Sequence, residues 1–455
     1  MKFHSTNYNS PEIDFKTAIL QGQALDKGLF MINNIPKIPE ITLNTFQNMT
    51  FTQIALKILS LFTENSIPQI ILNKIINDAL NFEVPVDHIE GNEHICYLDR
   101  GPTCSFKDFG ARMLARIMEY FLEEDNNQLV ILTATSGDTG GAVAQAFYKM
   151  NRIKIVVLYP KNEISDLQRK QMTTSGKNVN ALGINGKFDD CQALVKSAFS
   201  DKDLDYLNLS SANSINLGRL LPQTLYYFWS YFRIIENIGE KVIFSVPSGN
   251  FGNLTAGLIA KKMGLPIEKL ISAVNENDEF PSFLKTGVYK KLEPSKNCIS
   301  SAMNVGNPSN LARIVDLYNG RMNENGIISK NPNMELLRNE IISYSVDDEL
   351  TRSTIVNFYN DNHKIIEPHG AVGWAAIQIF REQHPEYKDL KSIVFETAHP
   401  SKFPTEINTL INEIPTLPKS LKNIAKRSEF PNQKEINNYH DFKQFLNEKF
   451  RIITS

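Results

Sequence analysis

The sequence predicts an α/β protein: doubly wound, mostly parallel sheets in two βα domains, preceded by an N-terminal α/β extension. Three observations carry this. Short apolar runs such as Leu129-Val130-Ile131-Leu132-Thr133 and Lys154-Ile155-Val156-Val157-Leu158-Tyr159 read as strands buried on both faces. Many such runs meet a turn rich in glycine, proline or small polar residues. Helical spacing of apolar residues then follows, and the alternation continues from Cys96 to about Pro400.

Taken in order, residues 1–95 form a separate unit. Turns at Asp26-Lys27-Gly28 and around Pro36 and Pro39 precede two helical patterns, Ile54, Ile58, Leu61, Phe62 and Ile71, Leu72, Ile75, Ile76, and Pro85 closes the segment. Residues 96–240 make a smaller βα domain. After the two strands above come a helix near Leu167 to Thr174, a strand Val179 to Ile184 and a helix Asp190 to Phe199. Leu217, Leu221, Leu225 and Phe228 mark one face of a long helix. Residues 241–400 make the larger domain, with strands at Lys241 to Val246, Leu270 to Val274 and Ser392 to Glu396 and a helix at Leu254 to Met263. Residues 401–455 read as a capping tail ending in a helical piece near Phe442 to Phe450.

Composition narrows the class. The chain has 455 residues, of which 42% are hydrophobic and 22% charged, enough to bury a large core. Lys+Arg is 48 and Asp+Glu is 50, so the net charge of -2 gives no reason to expect nucleic acid or an anionic membrane as partner. Cys96, Cys104, Cys191 and Cys298 contain no CxxC, which suits reduced thiols in a cytosol-like compartment. The N-terminus lacks the apolar core of a signal peptide, and no apolar run approaches the ~18 residues of a membrane span. A cytoplasmic protein, monomer or homodimer, acting on a small molecule is expected.

The most informative stretch is Gly101-Pro102-Thr103-Cys104-Ser105-Phe106-Lys107-Asp108-Phe109-Gly110. A lysine beside two phenylalanines, placed at or just before a helix start, is partly desolvated if the rings fold inward. Its amine then loses its proton more easily and can attack an aldehyde. The alternative is a lysine snorkelling along apolar surface. Gly249-Asn250-Phe251-Gly252-Asn253 follows a strand and opens a helix, so its backbone amides suit a phosphate, unless it is simply a tight turn. Thr135-Ser136-Gly137-Asp138-Thr139-Gly140 has the same context, with Asp138 or Thr139 as an alternative helix cap. Ser210 to Asn216, with Arg219 beyond it, suits a phosphate or carboxylate; read alone it is also a loop with a cap. GxGxxG, the phosphate-binding GxxxxGK[ST], HExxH and GxSxG are all absent. The eight histidines show no metal-ligand spacing, so no metal is expected, and His399 reads as structural. One lysine in apolar company and three anion-competent turns together point to pyridoxal phosphate, with a second anionic group on the substrate.

The motifs GPTCSFKDFG, TATSGDTGGAVAQAF, SSANSINLGRL, VPSGNFGNLTAG and ETAHPSKF stand in one order along the chain. In them the sequence resembles the longer class of the threonine synthase family, with an added N-terminal domain, among fold type II pyridoxal-phosphate enzymes. The resemblance covers nearly the whole chain. It implies Lys107 as the Schiff-base lysine and the acid/base. It implies Gly249, Asn250, Phe251, Gly252 and Asn253 around the cofactor phosphate, Asp138 near the cofactor's ring oxygen and Thr397 facing its ring nitrogen. Thr135, Ser136, Thr139, Asn213, Ser214 and Arg219 match positions that bind substrate phosphate and carboxylate. Cys104 inherits no role. The implied reaction takes O-phospho-L-homoserine and water to L-threonine and phosphate. A phospholyase or a dehydratase on the same fold, releasing a 2-oxo acid, is the alternative. A non-catalytic anion-binding module is a further one, against which the intact Lys107 stands.

Overall fold

The computed structural model describes residues 1–63, 65–135, 137–430, 436 and 438–450. Two parallel sheets organise them. The larger has six strands in the order Ile341–Ser345, Ile267–Val274, Val242–Pro247, Ser392–Glu396, Glu93–Tyr97 and Val86–Glu90. All pair in parallel except the last, which runs antiparallel to Glu93–Tyr97 at the sheet edge. The smaller sheet is wholly parallel, in the order Val179–Ile184, Ile153–Pro160, Leu129–Ala134 and Leu209–Ser211. Its three longer strands are apolar and almost fully buried, as sheets covered on both faces require.

Three features depart from the sequence reading. The cut expected after residue 95 is not where the sheets divide, because Val86–Glu90 and Glu93–Tyr97 complete the larger sheet. Val86–Glu90 escapes a pattern search because it is a polar, half-exposed edge strand. The long helix expected across Leu217 to Phe228 is three pieces: a helix Leu217–Leu220, a 3-10 turn Leu221–Gln223 and a helix Thr224–Ile234. Pro222 sits in the middle piece and has no N–H for the ladder. The apolar face was still read correctly, since Leu217, Leu221, Leu225 and Phe228 are all buried. Finally, the strand Ile341–Ser345 and the helices Asp348–Asn362 and Pro368–Gln383 were not anticipated.

The N-terminal residues form a small antiparallel pair, Phe3–Ser5 with Phe30–Ile32, and helices Phe15–Gln21, Phe51–Thr63 and Gln69–Ala79. They pack over the helix that begins at Lys107 (Lys107–Asp125). Arg112 of that helix donates from Nε to Ala79 O at 2.6 Å and from Nη2 to Asp78 O at 2.8 Å, which satisfies the carbonyl end of helix Gln69–Ala79. The tail spans both layers. Ile436 bridges to Ile184, helix Tyr439–Phe450 packs on Phe188–Ser200, and helix Pro404–Ile411 packs on Asp348–Asn362. Among the described residues no helix is long and apolar enough to cross a membrane.

Arg313 pins three of these parts together. It is fully buried in helix Leu311–Leu317 and donates to Phe30 O at 3.0 Å, Ile215 O at 2.6 Å, Ser214 O at 3.3 Å and Asn310 Oδ1 at 2.5 Å. Replacing it by methionine keeps the apolar stem and removes all four bonds, leaving Asn310 as the donor to the Ser214 carbonyl. We expect Arg313→Met to cost about 3 kcal/mol of stability, read as a lower urea midpoint and thermal midpoint. Midpoints equal to those of the parent would show that the pin is dispensable.

Candidate active site

The lysine motif folds as a tight turn into a helix. The Asp108 carboxylate accepts from the Thr103 N–H and from the Thr103 hydroxyl, both at 2.8 Å, and closes the turn. A Cβ at Gly101 would overlap that carboxylate, so the turn needs a glycine there. The segment then pairs with the chain beyond strand Ser392–Glu396. Ser105 bridges Ala398, Phe106 N–H donates to Thr397 O at 2.9 Å and His399 N–H donates to Cys104 O at 3.1 Å. Lys107 is the first helical residue. Its ammonium lies 4.8 Å from the centre of the Phe106 ring. Phe109 points the other way, edge-on to Phe51, Phe82 and Tyr226 in the core. Among the described residues Lys107 Nζ has no hydrogen-bond acceptor. Burial pushes its amine down to about 8, Asp138 opposes the shift, and the nearby cations Lys402 and Arg219 reinforce it.

Asp138 opens helix Asp138–Ala146 and is buried. Its Oδ1 accepts from Lys402 Nζ at 2.9 Å and from Gln168 Nε2 at 3.2 Å. Burial alone would raise this carboxyl, but Lys402 and Lys107 together hold it well below the usual carboxylate range. Gly137 has φ 140°, and a Cβ there would sit 2.5 Å from Gln168 Nε2. The Thr135 hydroxyl accepts the N–H of Gly137 at 2.9 Å and of Gly140 at 2.8 Å, so it organises the helix start and has only its hydrogen left for a ligand. Thr139 is half-buried on the first turn. Ser136 lies outside the described residues.

The glycine-rich turn has the form expected of an anion cradle. It joins strand Val242–Pro247 to helix Gly252–Lys262, with Phe251 in the left-handed region at φ 59°. A Cβ at Gly249 would approach Ala302 O at 2.9 Å. The Asn250 carbonyl accepts from Asn310 N–H at 3.2 Å. Asn253 Oδ1 accepts from the hydroxyls of Tyr226 at 2.8 Å and Tyr227 at 2.9 Å, whereas its buried Nδ2 has no partner among the described residues. Tyr226 also donates to Gln223 Oε1 at 3.2 Å, and Gln223 Nε2 donates to Arg219 O at 2.8 Å. These bonds tie the turn to the arginine cluster.

Arg219 is buried, and Nη1 donates to Ala212 O at 2.6 Å while Nε has no partner among the described residues. Desolvation lowers its guanidinium to about 10. Helix Leu217–Leu220 approaches the lysine helix so closely that a Cβ at Gly110 would lie 2.5 Å from Arg219 O. In the same loop the buried Asn213 Oδ1 has no partner among the described residues, while the Ser214 carbonyl is held by Asn310 and Arg313. Asn216 is a cap, accepting Gly218 N–H at 2.9 Å.

Thr397 has a partner that sequence reading missed. Its hydroxyl donates to Glu367 Oε1 at 3.3 Å. Glu367 Oε2 lies 2.5 Å from His369 Nδ1, and His369 Nε2 accepts Ala302 N–H at 3.0 Å, so the ring proton sits on Nδ1 and points at Glu367. His399 is structural, as expected. It caps the 3-10 turn Pro400–Lys402 through Ser401 N–H at 3.1 Å, and burial lowers its ring to about 4. Lys402, Gln168, Gln223, Tyr226 and Glu367 are the residues that sequence reasoning did not flag. Only the position of Lys402 inside the motif ETAHPSKF hinted at it.

These residues fit pyridoxal phosphate. An amine with lowered proton affinity and no acceptor suits its aldehyde, and a helix N-terminus beside an unpartnered buried Asn253 amide suits its phosphate. Comparison with known proteins agrees. A family model described as pyridoxal-phosphate dependent enzyme matches residues 94–395, threonine synthase N terminus matches 2–80, and threonine synthase, C-terminal matches 370–445. Threonine synthase from Buchnera aphidicola subsp. Schizaphis graminum is 38% identical, covering 99% of this chain and 100% of its own. Threonine synthase from Escherichia coli K12 is 37% identical, covering 95% of each. The crystal structure of Escherichia coli threonine synthase superposes with a TM-score of 0.87 at 35% identity, covering 99% of this chain and 100% of that one. The pyridoxal-phosphate-bound threonine synthase from Brucella melitensis superposes with a TM-score of 0.92 at 32% identity, with the same coverage. A chain that matches threonine synthases along almost its whole length, and folds as they do, belongs to the threonine synthase family of pyridoxal-phosphate-dependent enzymes.

Proposed function

We propose that the chain converts O-phospho-L-homoserine and water into L-threonine and phosphate, the last step of threonine biosynthesis. One observation carries the choice of a phosphorylated substrate. Arg219 is buried, has no carboxylate partner among the described residues and keeps Nε unmatched. A buried guanidinium in that condition calls for an anionic ligand.

Pyridoxal phosphate, when bound, supplies the electron sink that lets carbon–hydrogen bonds next to the substrate's nitrogen break. The protein does the rest. In this reading Gly249, Asn250, Phe251, Gly252 and Asn253 hold the cofactor phosphate, Asp138 lies by its ring oxygen and Thr397 by its ring nitrogen. Lys107 would hold the cofactor's aldehyde carbon, and its Nζ, once free, would take the proton from Cα and then one from Cβ. Burial supports that role, since an amine lowered to about 8 has roughly a tenth of its molecules unprotonated at neutral pH, far more than an ordinary lysine. The same Nζ would return a proton to Cγ once phosphate has left it and, after water has added at Cβ, one to Cα. Arg219, Asn213, Ser214, Thr139, Thr135 and Ser136 orient the substrate phosphate and carboxylate, and Arg219 meets the charge that grows as phosphate departs. Four free cysteines suit a reducing, cytoplasmic setting.

Incubation of the purified protein with O-phospho-L-homoserine tests the reading: threonine and phosphate should appear in equal amounts. Phosphate with 2-oxobutyrate would make the enzyme a phospholyase and overturn the water-addition step. Lys107→Ala should lower turnover by about a thousandfold or more and abolish the borohydride-reducible link to the cofactor. Arg219→Ala should raise KM for the phosphorylated substrate about 10- to 100-fold with the cofactor retained. Loss of cofactor instead would mean the two anion sites are assigned the wrong way round.

A further inference from the structure

We propose that Lys402 is a positioning residue for this reaction: its ammonium is the fixed countercharge of Asp138, and it keeps that carboxylate ionised while Lys107 gains and loses charge. The inference rests on the reading that Lys107 and Asp138 face pyridoxal phosphate.

Two ammonium groups lie near Asp138, and they differ in kind. Lys402 is in direct contact, at 2.9 Å, with its side chain 1% exposed and that of Asp138 3% exposed. Lys107 acts on Asp138 through the field alone, with no hydrogen bond to it. The backbone makes the difference. Lys402 ends the 3-10 turn Pro400–Lys402, which is fixed by the His399 cap and lies just past the central strand Ser392–Glu396. Lys107 is the group consumed by chemistry, so it is no permanent partner for a buried anion. A buried carboxylate left with a partner that turns neutral would take up a proton or pull one onto that partner. Either event would spoil a base that must be neutral when it acts.

The other charged groups that Lys402 faces are Asp99, Asp108, Cys104 and His399, besides Lys107 itself. None of them shares its hydrogen bond. Asp108 is occupied by Thr103, Asp99 is paired with Arg100 at 3.4 Å and His399 is occupied by Ser401. Lys107 further faces Arg219 and Glu367, and Asp138 faces His369. Lys402 is therefore the cation committed to Asp138, and the same positive charge adds to the burial that lowers the proton affinity of Lys107.

The test compares the full-length enzyme loaded with pyridoxal phosphate in four forms: parent, Lys402→Met, Lys402→Arg and the double variant Lys402→Met with Asp138→Asn. The readouts are the pH titration of the cofactor's visible absorbance and the pH profile of kcat/KM. Lys402→Met should move the absorbance midpoint up by about one pH unit or more and lower turnover about tenfold or more. Lys402→Arg should stay within about threefold of the parent, because the charge remains. Adding Asp138→Asn to Lys402→Met should bring the midpoint back toward that of the parent, because the uncompensated charge is gone. If Lys402→Met does not fold, Lys402→Gln carries the same comparison, since it keeps a polar contact and lacks the charge. An unshifted midpoint in the neutral variant, or no recovery in the double variant, overturns the inference and leaves the site reading intact. A parent protein that shows no visible absorbance with pyridoxal phosphate overturns both.

Discussion

Asp138 meets the Lys402 ammonium at 2.9 Å where water scarcely reaches either group, and Lys107 stands close enough to feel both. In such a place a lone charge is costly and a pair is tolerable only when geometry holds it together. The arrangement around the pair follows from that constraint. Gln168 adds a second donor to the same carboxylate oxygen, and Gly137 gives up its side chain so that Gln168 fits. With the anion satisfied, Lys107 has no hydrogen-bond acceptor among the described residues, and its ammonium rests against the Phe106 ring. An amine placed so is prepared for chemistry and poor at ordinary structural work.

Distant parts of the chain are brought to this point by backbone pairing. The residues before Lys107 bridge to those after Glu396, so the lysine and Thr397 share one local piece of structure although they are far apart in sequence. A second line runs through side chains, from Arg219 by Gln223 and Tyr226 to Asn253. It links the loop with the unmatched guanidinium to the glycine-rich turn, so the two anion-competent places cannot drift independently. The N-terminal residues complete the enclosure by covering the outer face of the lysine helix, with Arg112 and Arg313 as the polar anchors.

Much of this was legible in the sequence where the chemistry is contiguous. The decapeptide around Lys107 and the run Gly249 to Asn253 each carry their own turn residues and helix start, and both fold as read. The parallel strands were legible because burial on both faces leaves an unbroken apolar run. The Asp138–Lys402 pair was not, because a lysine next to Phe403 looks like any surface lysine until the fold carries it 264 positions back to Asp138. Glu367 was hidden in the same way behind Thr397. Thr135 shows a structural duty that the motif hides: its oxygen is taken by the N–H groups of Gly137 and Gly140, so only its hydrogen remains for a ligand.

The layering of charge explains why a carboxylate-rich neighbourhood can still receive an anion. Behind Thr397, Glu367 accepts from His369, Gly370 and Thr397, and Glu396 and Asp99 lie beyond it. Burial, with Glu367 nearby, drives Glu396 well above the usual carboxylate range, and burial lifts Asp99 to about 6. Both groups therefore hold a proton more readily than ordinary carboxylates, and this layer carries less negative charge than its composition suggests. On the near side Lys402 touches the Asp138 carboxylate, while Lys107 and Arg219 touch no carboxylate among the described residues. Cations without a contact partner in a low-dielectric setting are felt strongly by a phosphorylated, carboxylated ligand. The same buried cations that attract the anion also reinforce the burial that lowers the proton affinity of Lys107.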